Sequence, residues 1–114
     1  MYVNGVSLLM QFFETSVFTR QITELVDDED YKALQDALML RPDAGNVIQG
    51  TEGLRKLRWG ASGRGKRGGI RVIYYFKNDR DQIYFLFAYP KNNQADLTPV
   101  QKKKLVQMIK DEWK

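Results

Sequence analysis

Eight lysine or arginine side chains, Arg55, Lys56, Arg58, Arg64, Lys66, Arg67, Arg71 and Lys77, fall between Leu54 and Lys77 without a carboxylate among them. Such a run is an electrostatic footprint for a polyanion, and nucleic acid is the polyanion a cell supplies most freely. It also serves as a solvated surface kept soluble by its own repulsion. The spacing adds detail. Lys56 and Arg58 flank Leu57 at strand period, so in an extended segment both cations point away from the face that buries the leucine. Arg64, Lys66 and Arg67 sit instead among five glycines in residues 60–69. That composition predicts a mobile cationic loop, suited to gripping a phosphate backbone and unsuited to fixed catalytic geometry.

The residue types that are missing narrow the chemistry. The chain has no histidine and no cysteine, which removes the Ser-His-Asp hydrolases, cysteine nucleophiles, disulfide frameworks and Cys-based zinc sites. No metal or cofactor is expected. The longest apolar runs are far too short for a membrane span, and the first residues show neither a basic n-region nor an apolar h-region, so a cytoplasmic protein is expected.

The elements that must position these side chains are legible from period and punctuation. At 114 residues the chain suits one compact domain, 1–114, with 1–7 read as a flexible tail. Residues 8–13 read as a first strand. Thr15 or Ser16 can cap a helix to about Val26, with Phe18, Ile22, Leu25 and Val26 on one face. Asp27 to Asp30 give an acidic start to a second helix ending near Leu40, with Tyr31, Leu34, Ala37 and Leu38 inward. Three strands follow at about 54–59, 70–76 and 82–89, the last two joined by the hairpin link Asn78-Asp79-Arg80-Asp81. Thr98-Pro99-Val100-Gln101 combines a capping hydroxyl, proline in the first turn and glutamine three residues after the cap. It opens a last helix with Val100, Leu105, Met108, Ile109 and Trp113 on its apolar side. The result is an α+β domain of order β-α-α-β-β-β-α, two N-terminal helices and a C-terminal helix packed on a small, mostly antiparallel sheet.

Charge divides this layout in two. Residues 1–52 hold three basic and nine acidic side chains, a net of −6, whereas residues 53–114 hold fifteen basic and five acidic, a net of +10. The early helices are therefore acidic and the strands cationic. Helix-turn-helix DNA reading is disfavoured, because the basic residues lie on predicted strands and a loop.

Four segments together resemble the HigB branch of the RelE toxin superfamily. They are Leu38 to Thr51 (LMLRPDAGNVIQGT), Gly53 to Arg58 (GLRKLR), Lys66 to Phe76 (KRGGIRVIYYF) and Ala88 to Leu97 (AYPKNNQADL). The resemblance runs over roughly residues 9–110, and it is their order and spacing that make it specific. It implies a RelE-like fold and a ribosome-dependent endoribonuclease, the toxin of a type II toxin-antitoxin system, that cuts messenger RNA in the ribosomal A site. In that chemistry a 2′-hydroxyl attacks the adjacent phosphate and leaves a cyclic or 3′-phosphate end. Carried over by position, the catalytic group comprises Lys56, Arg58 and, above all, Arg71 at the scissile phosphate. The family's later active-site arginine and tyrosine are replaced here by Asn92 and Thr98, and Lys91 could supply the missing charge. Thr98 is better explained as a helix cap. Arg55, Arg64, Lys66, Arg67, Tyr89 and Asn92 make up the RNA- and ribosome-binding group, with Tyr89 open to two roles: stacking on a base, or a half-buried strand aromatic. Mutual repulsion among packed cations makes a neutral lysine available as the base.

The resemblance also implies a HigA-like antitoxin carrying a helix-turn-helix domain, besides the ribosome and its message as partners. That antitoxin is expected outside the Lys56, Arg58 and Arg71 cluster, toward the acidic helices. Two alternatives use the same charges: a non-catalytic RNA- or DNA-binding module, and a RelE-fold protein without activity that survives as an interaction partner.

Overall fold

The computed structural model describes residues 10–60 and 69–113. Eight elements follow one another: β1 (Gln11–Glu14), α1 (Ser16–Leu25), α2 (Asp28–Leu40), β2 (Asn46–Val47), β3 (Leu54–Trp59), β4 (Ile70–Lys77), β5 (Gln82–Pro90) and α3 (Pro99–Met108). They build one sheet of order β1-β5-β4-β3-β2, with β1 parallel to β5 and the other neighbours antiparallel. The expected α+β architecture is observed, with one strand more than the sequence indicates. That strand, β2, is two residues long, too short to carry a periodic signal.

Local chemistry starts and stops the helices where expected. The Thr15 hydroxyl accepts from the Phe18 N–H at 3.0 Å and donates to the Leu86 carbonyl at 2.9 Å, tying the start of α1 to β5. Asp27 caps α2 through the Asp30 N–H at 2.8 Å, with Asp28, Glu29 and Asp30 in the first turn beside the positive end of the helix dipole. Thr98 and Gln101 form the complete capping box of α3, which continues into a π turn over Ile109–Trp113. Among the described residues, no helix is long and apolar enough to cross a membrane.

The helices divide between the two faces of the sheet. On one face Phe18 and Ile22 of α1 and Leu34 and Leu38 of α2 bury Val72, Tyr74, Ile83 and Phe85. On the other, Leu105 and Ile109 cover Leu54, Ile73 and Leu86. Val100 departs from expectation: it is 64% exposed, because it lies in the first turn of α3 before the helix meets the sheet. The side chain of Trp113, residues 1–9 of the expected tail and first strand, and the Arg64, Lys66 and Arg67 segment lie outside the described residues.

Two polar side chains, those of Tyr74 and Arg55, fix the link between α2 and β2. The Tyr74 hydroxyl donates to the Pro42 carbonyl at 2.7 Å and accepts from the Gly45 N–H at 2.9 Å. Arg55 donates to the Gly45 and Asp43 carbonyls at 2.7 and 3.2 Å. Gly45 must be glycine for this approach, since a Cβ there would stand 2.8 Å from the Tyr74 ring.

Candidate active site

Strand register decides which side chains share a face. Leu57 pairs with Val72, and both belong to the face covered by α1 and α2. Their neighbours therefore turn the other way, so Lys56, opposite Ile73, and Arg58, opposite Arg71, lie on the α3 face. Arg58 and Arg71 are a like-charged pair at directly opposed positions, an arrangement that costs stability unless an anion or carboxylate offsets it. Arg71 is 5% exposed and Arg58 is exposed, so a buried guanidinium stands behind an open one.

Tyr89 reaches the same face through an irregularity. Ile73 pairs with Phe87 while Tyr74 pairs with Phe85, so Leu86 is an extra residue on β5. Strict alternation from Ile83 and Phe85 would turn Phe87 and Tyr89 toward α1 and α2. The bulge reverses the parity and sets Tyr89 opposite Arg71. Its ring is 4% exposed and lies 5.9 Å from that of Phe87, which fits the strand aromatic of the two roles open to it. Burial first, then Asp96, raises the Tyr89 phenol above its ordinary range, and Arg71 acts in the opposite direction. The hydroxyl is buried without a hydrogen-bond partner among the described residues.

Asp96 is the residue that nothing in the sequence singles out. Its Oδ1 lies 2.5 Å from Lys56 Nζ, bridging the sheet to the segment before α3. A lone carboxylate in a turn-rich stretch carries no local sign of a partner forty positions away. Gln94 holds the segment in place, donating to the Asp96 carbonyl at 2.7 Å and to Gln101 Oε1 at 2.9 Å, so the capping box of α3 is wired to Lys56. The carboxylate also offsets locally the repulsion among cations that made an unpaired lysine base attractive.

The hydrogen bond from Lys56, followed by its charge, holds the Asp96 carboxyl below its ordinary value of 3.8. A depressed carboxylate pKa means that the contact is complete above pH 3.8 and is lost as pH falls through the lower folded value. Carbon-detected NMR titration should place the Asp96 midpoint below 3.8, and Lys56→Gln should return it toward that value. An unchanged midpoint in the variant would show that the contact does not form in solution.

The remaining candidates are dispersed. Lys91 and Asn92 are exposed just beyond β5, where the Lys91 N–H donates to the Gly69 carbonyl at 3.2 Å, near the start of β4. Arg55 belongs to the opposite face, where its guanidinium is engaged with the two carbonyls described above. A hollow of about 420 Å³ opens beside Lys56 and Arg58, walled by Ala44, Asn46 and Val47. A cationic cleft of this size next to an opposed arginine pair suits a phosphodiester, whose charge is spread over several oxygens.

A family model described as the RelE toxin of the RelE/RelB toxin-antitoxin system matches residues 10–113. Among solved structures, the chain is similar to a double arginine-to-alanine mutant of the E. coli toxin RelE in the free state. The two share 12% identity with a TM-score of 0.61, over 84% of this chain and 96% of that one. It is also similar to a chain of the archaeal RelE–RelB complex from Pyrococcus horikoshii OT3, at 20% identity and a TM-score of 0.52, over 75% of this chain and 99% of that one. At such identities the likeness is one of fold.

Proposed function

The chain belongs to the RelE family of toxins, and from that membership we propose that it is a metal-independent, ribosome-dependent endoribonuclease that cuts messenger RNA in the A site. The observation that carries this reading is the opposed pair Arg58 and Arg71, with Lys56 next to them on one face of the sheet. In the proposed step the 2′-hydroxyl gives up its proton and its oxygen bonds to phosphorus while the P–O5′ bond breaks and the departing 5′-oxygen takes up a proton, leaving a cyclic phosphate on one fragment and a 5′-hydroxyl on the other. The two guanidiniums take up the charge that grows on the equatorial oxygens, Arg71 from a fixed, buried position and Arg58 from the open side. Lys56 lines the hollow beside Arg58 and is held there by Asp96, a position from which it can meet the 2′-hydroxyl proton. Lys91 is assigned the charge that the replaced active-site arginine would supply, and Asn92, Arg64, Lys66 and Arg67 are assigned to contacts with RNA beyond the scissile bond.

The test is induced expression in a bacterium, with and without the cognate antitoxin, followed by mapping of RNA 5′ ends. Growth arrest with cuts in phase with codons in translated messages supports the reading. Arrest without cuts leaves a nucleic-acid-binding module, and no arrest leaves an inactive relative.

The partner that restrains the toxin in the cytoplasm is proposed to be a HigA-like antitoxin with a helix-turn-helix domain, bound away from the arginine pair. Glu24, Asp28 and Glu29 are exposed on α1 and α2 and offer a negative surface opposite in sign to the active face. Reversing these three charges to lysine should weaken the complex at least tenfold, an effect of about 1.4 kcal/mol, chiefly through a slower association rate. Arg71→Ala should leave the affinity nearly unchanged in the same calorimetric titration. Loss of most of the affinity in Arg71→Ala would mean that the antitoxin caps the active face.

A further inference from the structure

The hollow beside Lys56 and Arg58 does not end at the arginine pair. It meets a second depression at Ile48 and Lys56, which contains Asp96, Leu97 and Lys102. That depression in turn meets a third at Leu97 and Lys102, running along α3 past Lys103, Val106 and Gln107 to Lys110. Three depressions sharing walls in sequence make one trough from the catalytic face along the outer side of the last helix.

Helical spacing explains why its floor is cationic. Residues 102, 103, 106, 107 and 110 follow one another at alternating steps of one and three, so they form one stripe on α3 and its continuation. Leu105 and Ile109 take the opposite stripe and bury themselves against the sheet. Lys104, between them, faces a different, apolar hollow with Thr15 and Val17. Among the described residues, Lys102, Lys103 and Lys110 are in no ion pair. Asp96 is engaged with Lys56, and Asp111 accepts from Gln107 at 2.8 Å. Leu97 and Val106, both half-buried, add aliphatic surface between the cations, against which the faces of unpaired bases can pack.

We infer that this trough is a track for the single-stranded message itself, extending from the scissile phosphate over Lys56 and along α3, with Lys102, Lys103 and Lys110 facing successive stretches of its backbone. This rests on the endoribonuclease reading above and deepens it, because it assigns the substrate a second, non-reacting binding segment. Ribosomal RNA is the competing occupant. Continuity with the arginine pair favours the message, since the strand being cut must leave the site along some surface.

The experiment compares the wild type with the triple variant Lys102→Gln, Lys103→Gln, Lys110→Gln, matched for circular dichroism and melting temperature. The probes are 2′-O-methylated RNA oligonucleotides of four and twelve nucleotides, which resist cleavage, followed by fluorescence anisotropy across a salt series. Wild type should bind the twelve-mer more tightly than the four-mer, and the variant should lose that advantage by about tenfold or more. Its twelve-mer salt slope should fall by about 2, three contacts at roughly 0.7 each. An unchanged length advantage, or no twelve-mer binding by the wild type, overturns the inference. Sedimentation with message-free ribosomes supplies the other arm: equal binding of both proteins supports the message track, and selective loss in the variant assigns the lysines to ribosomal RNA instead. Cleavage on programmed ribosomes, run with the same wild-type protein, reports separately on the endoribonuclease reading.

Discussion

Arg71→Ala is expected to abolish growth arrest and to slow cleavage on programmed ribosomes by about 100- to 1,000-fold, the loss seen when one preorganised charge-stabilising donor is removed. The size of the effect follows from where the side chain stands. At 5% exposure the guanidinium is already desolvated, so its interaction with a phosphate is weakly screened and needs little reorganisation. Arg58 opposite is exposed and cannot replace it from the same position. Arg71→Lys should recover only a small part of the activity, because an ammonium lacks the planar fork that contacts two oxygens together. Both variants need a melting curve beside the activity measurement. The packing there is carried by Ile70, Val72 and Ile73, all buried, so folding is expected to survive. Full toxicity in a folded Arg71→Ala protein would remove the arginine pair from the mechanism.

The largest stability effect should come from a residue that does no chemistry. Gly69 stands immediately before β4 with φ +57°, and a Cβ there would lie 2.3 Å from the Trp59 carbonyl oxygen and 2.9 Å from the Gly60 Cα. Neither neighbour is the free end of a side chain, so the backbone itself must shift. Gly69→Ala is expected to cost about 2–4 kcal/mol, combining left-handed strain with steric overlap. It should lower the melting temperature by roughly 10 °C or more for a domain of this size. Gly60→Ala is the control: among the described residues nothing lies within 4 Å of a Cβ built there, so the change should stay within about 0.5 kcal/mol. Because Trp59 pairs with Ile70 and Arg58 with Arg71, the strain falls on the rungs that carry the arginines. Equal melting temperatures for the two variants would show that the approach of β3 to β4 at this end is looser than described.

Much of this architecture is written in local signals. Thr15, Asp27 and the Thr98–Gln101 box each mark a helix start by a hydrogen bond spanning three residues, and the structure contains all of them. The acidic and cationic halves and the shared face of Lys56 and Arg58 follow from composition and period. What escaped detection depends on partners distant in sequence. β2 exists because β3 offers an edge to Asn46 and Val47, not because two residues prefer to be extended. The bulge at Leu86 is invisible in an unbroken apolar run, yet it decides which way Tyr89 points. Asp96 becomes significant only when folding brings it to Lys56. Arg55 shows the complementary limit: one position from Lys56 in sequence, it serves the opposite face and closes a loop instead of facing the arginine pair.

The parallel pairing of β1 with β5 sets an order of events during synthesis. Gln11 and Gln82 stand side by side, their amide groups 3.0 Å apart, although 71 positions separate them. No β1 hydrogen-bond ladder can form until β5 has emerged, and closing so long a loop delays the step further. The Lys56–Asp96 contact and the covering of Leu54 and Ile73 by α3 come later still, because they wait for Asp96 and α3, which follow β5 in the chain. Until β5 and then α3 have left the ribosome, the arginines stand on a sheet that lacks first its parallel edge strand and then the cover of one face. The face that carries Lys56, Arg58 and Arg71 is therefore complete only after α3 has left the ribosome, so on the endoribonuclease reading a chain stalled before α3 should be inactive.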